Sequence, residues 1–315
     1  MKFKSLIDSV RFFIKRVIKN TQDSLPVPEP SIEKEMIISN TIIVNEPIPK
    51  IIWTYWEDET PSLVKICFDS MKNNQNDYEL RIVSPDNLKL YLDIDFSQYM
   101  YARPSFFSDH IRLLLLFKYG GVWLDASILV TQPLNWIQTM ADKYKVGFIA
   151  DFNPKFMIEG GMPMIESFFL ASTAKNTLLK DVLLTWEDWL ISENPKSYFK
   201  KLTNYSLLKQ GFDIFLEDYL YIHLCFQKVL NSKTYNYLVL NAEDHTLFYK
   251  YHLKGNDINL ALAETLLLKK SPNNVGNLIK FSYHERARIS HFIDHKCYIK
   301  KSIIGNYLLD SKNKN

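Results

Sequence analysis

Short apolar runs alternate with amphipathic segments along the first half of the chain. Runs rich in β-branched and aromatic residues predict four strands: IPKIIWTYW, YELRIVS, GVWLDAS and YKVGFIADF. Apolar residues at helical spacing predict two helices among them: PSLVKICFDSMKNN and PSFFSDHIRLLLLFKYGG. Strands that alternate with helices predict an α/β fold in which helices flank a mainly parallel central sheet.

The clearest helix in the sequence follows Pro104 and ends at the glycine pair 120–121. Ser105 or Ser108 is its predicted N-cap. Paired glycines allow the chain to reverse tightly, so the next strand returns beside the helix. That strand ends on a single carboxylate, Asp125. Because ligands of open α/β sheets bind at the carboxyl ends of strands, Asp125 is a candidate site residue.

Beyond residue 160 the pattern becomes more helical. The segments NTLLKDVLLTWEDWLIS and DIFLEDYLYIHLCFQKVL predict helices, and thus a helical C-terminal portion. Closely spaced prolines predict an extended linker ahead of the folded domain. The predicted organisation is a basic amphipathic helix at 1–22, a proline-containing linker at 23–46, a folded α/β domain at 47–305 and a polar tail at 306–315.

The first 20 residues carry six basic side chains against one acidic side chain, although the whole chain has a net charge of only +3. An apolar stripe at helical spacing lies opposite the basic face: Phe3, Leu6, Val10, Phe13 and Val17. Two interpretations remain open: a helix that lies on an anionic membrane surface through residues 1–20, or a helix that docks on its own domain. No apolar stretch is long enough to span a bilayer. We therefore expect a cytoplasmic protein, peripheral on the inner face of the cell membrane if the first interpretation holds.

Composition excludes several classes of protein. Hydrophobic residues make up 47% of the 315 residues, which is enough for a large folded core. Without its basic start the chain is slightly acidic, which argues against a nucleic-acid partner. Three widely separated cysteines fit a reducing compartment better than a disulfide framework or a zinc site. The sequence has no glycine-rich dinucleotide or P-loop motif and no G-x-S-x-G elbow.

Two charged residues of the clearest helix combine with Asp125. Asp109 and Arg112 are three residues apart and therefore share one helix face. The tight reversal after the helix can bring this pair and Asp125 to one crevice, where helix N-terminal amides can receive anionic oxygen. The alternative is a structural ion pair beside an aspartate that caps a turn.

The strings IPKIIWTYW and SDHIRLLLLFKYGGVWLDAS resemble the bacterial capsular polysaccharide synthesis proteins. These proteins group with the DXD-type glycosyltransferases of family 32 and are more distantly similar to the glucosylating clostridial toxins. The resemblance covers residues 47–305 and implies a GT-A, Rossmann-like fold. It further implies transfer of a sugar, with retention, from a nucleotide-diphosphate sugar to a glycan or lipid-linked glycan acceptor in capsule or surface polysaccharide synthesis. A UDP-sugar is the favoured donor.

The resemblance also implies which residues hold the donor. Trp53 would end the first strand and stack on the nucleotide base, a contact worth about 1 to 3 kcal/mol. The alternative that the sequence leaves open is a tryptophan of the apolar core. Arg112 would hold sugar hydroxyls, and Asp125 would be the first acid of the D-x-D motif. The nucleotide-sugar contacts that we expect are Ile52, Trp53, Ser108, Asp109, Arg112, Asp125 and Lys280. The expected catalytic residues among them are Asp109, Arg112 and Asp125.

Ser127 stands where most relatives carry the second acid of the motif, and two explanations remain open. A Mn²⁺ or Mg²⁺ ion would bind Asp125, Ser127 and both phosphates, although a hydroxyl is a weak ligand for a hard cation. A later histidine, His284 or His291, would complete the site. Otherwise basic side chains supply the positive charge: Lys280, Arg286 and Arg288. Of the two explanations, we expect the bound metal ion.

Two other functions compete with sugar transfer. One is a catalytically inactive protein that binds nucleotide-sugars. The other is a glycoside hydrolase that uses two carboxylates among Asp109, Asp125 and Asp151. A literal D-x-D string at 93–95 follows no apolar strand and is interpreted as a polar loop. His223 lies in an apolar helix and is interpreted as a hydrogen-bonded core residue.

Overall fold

A computed structural model gives the architecture of the chain. It describes residues 25–28, 36–39, 43–73, 77–99, 101, 103–157, 161–193, 198–199, 221–253 and 257–310, together with positions 7, 9–12 and 14. The first part of the segment DIFLEDYLYIHLCFQKVL, before Tyr221, lies outside the described residues. So do four residues of the N-terminal stripe: Phe3, Leu6, Phe13 and Val17.

The described residues form nine strands. They are β1 (Met36–Ser39), β2 (Ile51–Tyr55), β3 (Glu79–Val83), β4 (Gly121–Leu124), β5 (Ile128–Val130), β6 (Phe148–Phe152), β7 (Ile165–Ser172), β8 (Tyr237–Asn241) and β9 (Leu278–Lys280). A seven-stranded central sheet has the order β1-β8-β6-β7-β4-β2-β3. The other two strands, β5 and β9, pair in a small second sheet.

The central sheet is mixed but mainly parallel, as predicted. Strand β2 runs parallel to β3 and β4, and β6 runs parallel to β8. Strand β7 is antiparallel to both β4 and β6, and β1 is antiparallel to β8. Five of the seven strands, all except β1 and β7, therefore point the same way. Their carboxyl ends meet at one edge, which is where ligands of such sheets bind.

Helices cover both faces of the sheet. Those with assigned bounds are α1 (Ser62–Asn73), α2 (Pro104–Tyr119), α3 (Asn135–Tyr144), α4 (Thr177–Leu190), α5 (Tyr221–Leu230), α6 (Phe248–Tyr251), α7 (Ile258–Leu268), α8 (Tyr283–Asp294) and α9 (Ile303–Asp310). The described positions 7, 9–12 and 14 are helical as well. The later helices confirm the predicted helical C-terminal portion. No described helix is long and apolar enough to cross a bilayer.

Side chains of the central strands alternate between two apolar layers. Trp53, Trp123 and Leu170 face one layer, together with α2, α4 and α5. Ile52 and Val122 face the other layer, together with α3. Every residue of β4 is buried, as expected for a strand that is covered on both faces. This packing fixes the direction in which the chain leaves β4.

The C-terminal helices pack on a third apolar cluster. Helices α7, α8 and α9 meet α1 and the small β5–β9 sheet there. Phe12 of the N-terminal segment joins this cluster by stacking on Phe292, with ring centroids 3.8 Å apart. The hydroxyl oxygen of Ser9 lies 2.6 Å from Nε2 of His291. The described N-terminal residues therefore dock on the folded domain.

The predicted domain boundaries need two corrections. Part of the predicted linker, residues 36–39, forms β1, because its backbone pairs antiparallel with β8 and extends the sheet by one strand. The predicted polar tail begins inside α9, which runs to Asp310. The folded unit is therefore longer at both ends than residues 47–305.

The start of α2 also differs from the prediction. The N-cap is Arg103, whose side chain makes no capping hydrogen bond, and neither Ser105 nor Ser108 takes that position. Pro104 is the first helical residue. Proline suits this position because its missing amide hydrogen would have no partner in the first turn of a helix.

The turn between α2 and β4 requires glycine, and a substitution there tests this packing. Gly121 has φ +104°, and an added Cβ would lie 2.7 Å from the backbone oxygen of Ile51. We expect Gly121→Ala to lower the free energy of unfolding, measured by urea denaturation, by on the order of 1 to 3 kcal/mol. Gly276→Ala is the control, because Gly276 also has a positive φ but a Cβ there meets no atom closer than 3.5 Å. Equal losses in the two variants would contradict the close approach at Gly121.

Candidate active site

Asp125 is the first residue after β4, at the edge where the parallel strands end. Its backbone amide donates to the oxygen of Phe168 in the neighbouring β7 at 2.9 Å. Its carboxylate Oδ1 accepts from Nε1 of Trp123 at 3.0 Å. The Asp125 side chain is 24% exposed. The sheet therefore fixes Asp125 while part of its side chain stays accessible to a ligand.

Arg112 of α2 joins two carboxylates. Its Nη2 donates to Oδ1 of Asp125 at 3.0 Å, and its Nη1 lies 3.0 Å from Oδ1 of Asp109. Nη1 also donates to the backbone oxygen of Ser167 at 2.9 Å. The guanidinium carbon lies 4.9 Å from the centroid of the Trp123 ring. The structure thus brings together the three residues that the sequence predicts to share one crevice.

Lys280, the last residue of β9, brings a second cation to Asp125. Its Nζ donates to Oδ2 of Asp125 and to Oγ of Ser127, both at 2.8 Å. The Ser127 hydroxyl itself donates to the backbone oxygen of Phe281 at 2.9 Å. Asp125 is therefore shared between two cations, with Arg112 on one carboxylate oxygen and Lys280 on the other.

Burial and charge act in opposite directions on the two carboxyl groups. Burial raises the pKa of Asp109 to about 6, and the charge of Arg112 offsets only part of that effect. Burial also acts to raise the pKa of Asp125. There, the charges of Lys280 and Arg112, with hydrogen bonds from Lys280 and Trp123, outweigh burial and hold the pKa below its ordinary value. Asp125 is therefore ionised at neutral pH and serves as the counter-ion of both cations.

The raised pKa of Asp109 predicts a specific pH dependence of stability. Because the folded protein binds this proton more tightly than the unfolded chain does, the resulting stabilisation is full below about pH 4 and is lost as the pH rises through about 6. Compared with Asp109→Asn, the wild-type protein should gain on the order of 2 to 3 kcal/mol when the pH is lowered from about 7 to about 4. Urea denaturation of both proteins at several pH values measures this difference. A difference that does not change with pH would contradict the raised pKa.

Glu166, at the start of β7, adds a third carboxylate that the sequence analysis does not predict. Its Oε1 accepts from Nδ2 of Asn153 at 2.9 Å, and its Oε2 lies 3.1 Å from Nε2 of His223. Burial acts to raise the pKa of Glu166, but hydrogen bonds from His223 and Asn153 and the charge of Lys280 leave it below its ordinary value. His223 is hydrogen-bonded, as predicted, but its partner belongs to the candidate site.

The direction of β7 explains why Glu166 lies at this edge. Because β7 is antiparallel to β4, its beginning lies where β4 ends. The signal that the sequence offers is Glu166 itself, the one charged residue of the segment IESFFLAS. Using that signal requires knowing that this strand runs opposite to its neighbours.

Two expected donor contacts are buried instead. Trp53 lies in the middle of β2 and is 0% exposed, and its Nε1 donates to the oxygen of Gly120 at 2.9 Å. The prediction that Trp53 stacks on a nucleotide base is therefore wrong, because its ring faces the core helices. Ile52 is 0% exposed in the opposite apolar layer. Ser108 is half-buried beside Asp109 on α2, and its contact with the donor stays a prediction.

The residues expected to hold Mn²⁺ or Mg²⁺ do not fit such an ion as they are arranged. Both carboxylate oxygens of Asp125 accept N–H donors, and Ser127 is bonded on its oxygen and through its proton. His284 is exposed, and His291 contacts the N-terminal segment. Among the described residues, no three His, Cys, Asp or Glu side chains form a group that could hold a metal ion. The ammonium of Lys280 lies between the two expected ligands.

The remaining charged candidates make other contacts. The guanidinium carbon of Arg286 lies 4.9 Å from the centroid of the Trp56 ring. Arg288 pairs with Asp257 at 2.8 Å. In the literal D-x-D string, Asp95 caps a short 3₁₀ helix, which agrees with its interpretation as a polar loop. Of the three basic side chains proposed to supply charge, Lys280 is the one bonded to Asp125.

Fold and site together define an α/β protein with a charged crevice at the carboxyl ends of its parallel strands. The model of the family described as "Capsular polysaccharide synthesis protein" matches residues 7–291. The chain therefore belongs to the capsular polysaccharide synthesis protein family, in agreement with the resemblance seen in the sequence. Among curated proteins, none matches the chain significantly.

Three solved glycosyltransferase structures are similar to the chain at low identity. The PaToxG glycosyltransferase is 17% identical with a TM-score of 0.31, over 73% of this chain and 89% of that one. The galactosyltransferase LgtC, in complex with donor and acceptor sugar analogues, is 11% identical with a TM-score of 0.30, over 61% and 86%. An active-site mutant of LgtC is 11% identical with a TM-score of 0.30, over 71% and 98%.

Proposed function

We propose that the protein is a GT-A-type, retaining glycosyltransferase. It moves a sugar from a nucleotide-diphosphate sugar, with UDP as the favoured nucleotide, to a glycan acceptor in capsular or surface polysaccharide synthesis. The observation that carries the proposal is the bridge formed by Arg112. This buried guanidinium holds Asp109 and Asp125 side by side at the carboxyl end of β4. Membership of the capsular polysaccharide synthesis family supports the same reaction class.

Each charged group has a role in this reaction. Carboxylate oxygens of Asp109 and Asp125 accept hydrogen bonds, so they suit the hydroxyls of the donor's sugar and ribose. Arg112 keeps both carboxylates in one orientation, so the sugar meets a preformed site and loses less freedom on reaching the reactive geometry. Lys280 places positive charge beside Asp125, where charge develops on the leaving diphosphate.

The reaction exchanges one bond for another at the anomeric carbon. The bond from that carbon to the phosphate oxygen breaks, and its electron pair stays on the nucleoside diphosphate. The acceptor oxygen forms its bond on the same face, which retains the configuration, and its proton passes to the leaving phosphate. No protein base is needed on this route. No step passes through Mn²⁺ or Mg²⁺, because Asp125 and Ser127, the expected ligands, both already accept hydrogen bonds from Lys280.

The two competing functions make different demands on the site. A hydrolase needs two accessible carboxylates, one of them beside a water molecule. Asp151, one of its three candidates, is 0% exposed and lies 2.8 Å from Nδ1 of His245, so it does not serve that purpose. A protein that only binds nucleotide-sugars needs the same crevice as a transferase. Only turnover of the donor distinguishes a transferase from a protein that binds nucleotide-sugars without reaction.

A panel of UDP- and GDP-sugars tests the proposal. Thermal unfolding of the full chain is followed with each compound, and released nucleoside diphosphate is then measured for the compounds that bind. We expect one donor to raise the melting temperature and to be consumed in the presence of membrane extract as acceptor. Binding without turnover, even with extract present, would favour the inactive protein. Failure of every donor to bind would overturn the proposal.

The N-terminal segment supports membrane contact as a further part of the proposal. Ile7, Val10 and Ile14 are 43%, 49% and 46% exposed, and their spacing places them along one side of a helix. Phe12 is buried against the domain, so the helix docks with one side and presents apolar residues on another. Basic residues of the first 20 suit anionic headgroups. This arrangement would keep the enzyme at the inner membrane face, near a lipid-linked acceptor.

A triple variant tests the membrane contact without disturbing Phe12. Ile7→Ser, Val10→Ser and Ile14→Ser together are expected to weaken binding to vesicles of anionic lipid about tenfold or more, because they remove the exposed apolar surface. Sedimentation with vesicles measures the bound fraction. Ile191→Ser is the control, since Ile191 is also exposed but lies on the folded domain. Unchanged sedimentation of the triple variant would rule out this surface as the anchor.

A further inference from the structure

We propose that Lys280 takes the place of a divalent cation as the fixed positive charge that neutralises the donor's diphosphate. This inference rests on the proposed function and specifies how that site holds its donor. Its starting point is the position of the Lys280 ammonium, 2.8 Å from Oδ2 of Asp125 and 2.8 Å from Oγ of Ser127. Those two residues are the ones that a D-x-D motif would offer to a metal.

The backbone holds Lys280 at a defined distance from the motif. Lys280 pairs with Ile128 in the antiparallel ladder of β5 and β9. The amide of the next residue, Phe281, donates to the backbone oxygen of Ser127 at 2.9 Å. The amide of Lys280 itself donates to the oxygen of Thr246 at 2.9 Å. The backbone of Lys280 is therefore held by segments on both sides of its strand. Hydrogen bonds to Asp125 and Ser127 then hold the ammonium beside the motif.

A buried polar cluster supports the strand from behind. Asp151 is 0% exposed, accepts from Oγ1 of Thr246 and lies 2.8 Å from Nδ1 of His245. These bonds hold Thr246, whose backbone oxygen receives the amide of Lys280. A buried carboxylate is costly unless hydrogen bonds satisfy it. We infer that this cluster positions Lys280. The proposed reaction gives the cluster no other role.

Charge balance explains why residue 127 is a serine. Two carboxylates and a divalent cation sum to zero, and so do Asp125, a neutral Ser127 and one ammonium. A second carboxylate beside Lys280 would make the group negative and would repel an anionic diphosphate. Ser127 accepts a hydrogen bond from Lys280 without adding charge. Serine at position 127 and lysine at position 280 are thus two parts of one arrangement.

Lys280 also keeps capacity for a ligand. An ammonium group has three N–H donors. Within the described residues, Asp125 and Ser127 accept two of them. The Lys280 side chain is 16% exposed, so the third donor can reach a phosphate oxygen. A compact ammonium charge suits a phosphate group.

Binding of UDP and GDP to the full chain tests the inference independently of turnover. Isothermal titration calorimetry is carried out once in EDTA and once in MnCl₂. We expect the wild-type Kd to be the same within about twofold in both conditions, and Lys280→Met to bind about tenfold or more weakly in both. Lys50→Met is the matched control, because Lys50 forms a surface pair with Asp77 at 3.1 Å. It should bind like the wild type.

The outcomes separate the inference from the proposed function. Wild-type binding that disappears in EDTA and returns with Mn²⁺ would overturn the inference, and so would tight binding by Lys280→Met. If Lys280→Met fails to fold, as judged by thermal unfolding, Lys280→Arg keeps the charge and should stay within a few-fold of the wild type in EDTA. Dependence of that variant on Mn²⁺ would also contradict the inference. If neither nucleotide binds the wild type in either condition, the proposed function itself fails.

Discussion

Replacing Arg112 by methionine is expected to lower the free energy of unfolding by about 3 to 5 kcal/mol at neutral pH. The change leaves Asp109 without its partner in a buried position and deprives Asp125 of one of its two cations. Methionine replaces the aliphatic stem of arginine but not its guanidinium, so the variant loses the charge and its hydrogen bonds, including the bond to Ser167. Urea denaturation at constant ionic strength measures the loss.

Arg288→Met is the matched control for this experiment. Arg288 also pairs with an aspartate at 2.8 Å, but the two side chains are 26% and 48% exposed. An exposed pair of this kind contributes about 0 to 1 kcal/mol. If Arg112→Met lowered the free energy of unfolding no more than Arg288→Met does, the bridge formed by Arg112 would not stabilise the fold. The cost should also shrink in acid, where the buried carboxyl groups take up protons.

Asp125→Asn is expected to lower kcat/KM for the donor by about 100-fold or more, with the protein still folded. Asparagine keeps the shape of the side chain but removes the charge that Arg112 and Lys280 share. Alanine is a poorer test, because it removes the side-chain oxygens as well as the charge, so Arg112 and Lys280 would also lose the acceptor that lies between them. Released nucleoside diphosphate measures activity, and thermal unfolding checks the fold.

The literal D-x-D string supplies the control for Asp125→Asn. Asp95 caps a short 3₁₀ helix by accepting from the amide of Ser97, and within the described residues no hydrogen bond or ion pair joins it to Asp109, Arg112 or Asp125. Asp95→Asn should therefore retain wild-type activity. Ser127→Ala should fall between these two variants, since it removes one hydrogen bond to Lys280 and no charge. Full activity of Asp125→Asn would contradict the assignment of the site.

Local patterns predicted much of this architecture. Periodicity located α2, and the glycine pair marked its end, because helix spacing and tight turns are determined by nearby residues. The structure also brings Asp109, Arg112 and Asp125 together, since a short turn joins the helix to the strand that follows. Their part in catalysis stays a prediction. The parallel strand directions followed from the alternation of strands and helices.

Features that depend on distant pairing could not be read in the same way. Trp53 lies on a strand whose two faces are both buried, so the sequence does not show which side chains reach a ligand. Glu166 reaches the site because β7 runs opposite to its neighbours. Lys280 was one of three basic candidates, and pairing between β5 and β9 distinguishes it from Arg286 and Arg288. These relations join segments far apart in the chain.

A crystal structure of the protein with its best nucleotide-sugar tests the central claim most directly. The account predicts sugar hydroxyls within hydrogen-bonding distance of Asp109 or Asp125, and a phosphate oxygen beside the ammonium of Lys280. A donor that binds elsewhere and contacts neither Asp109 nor Asp125 would contradict the account.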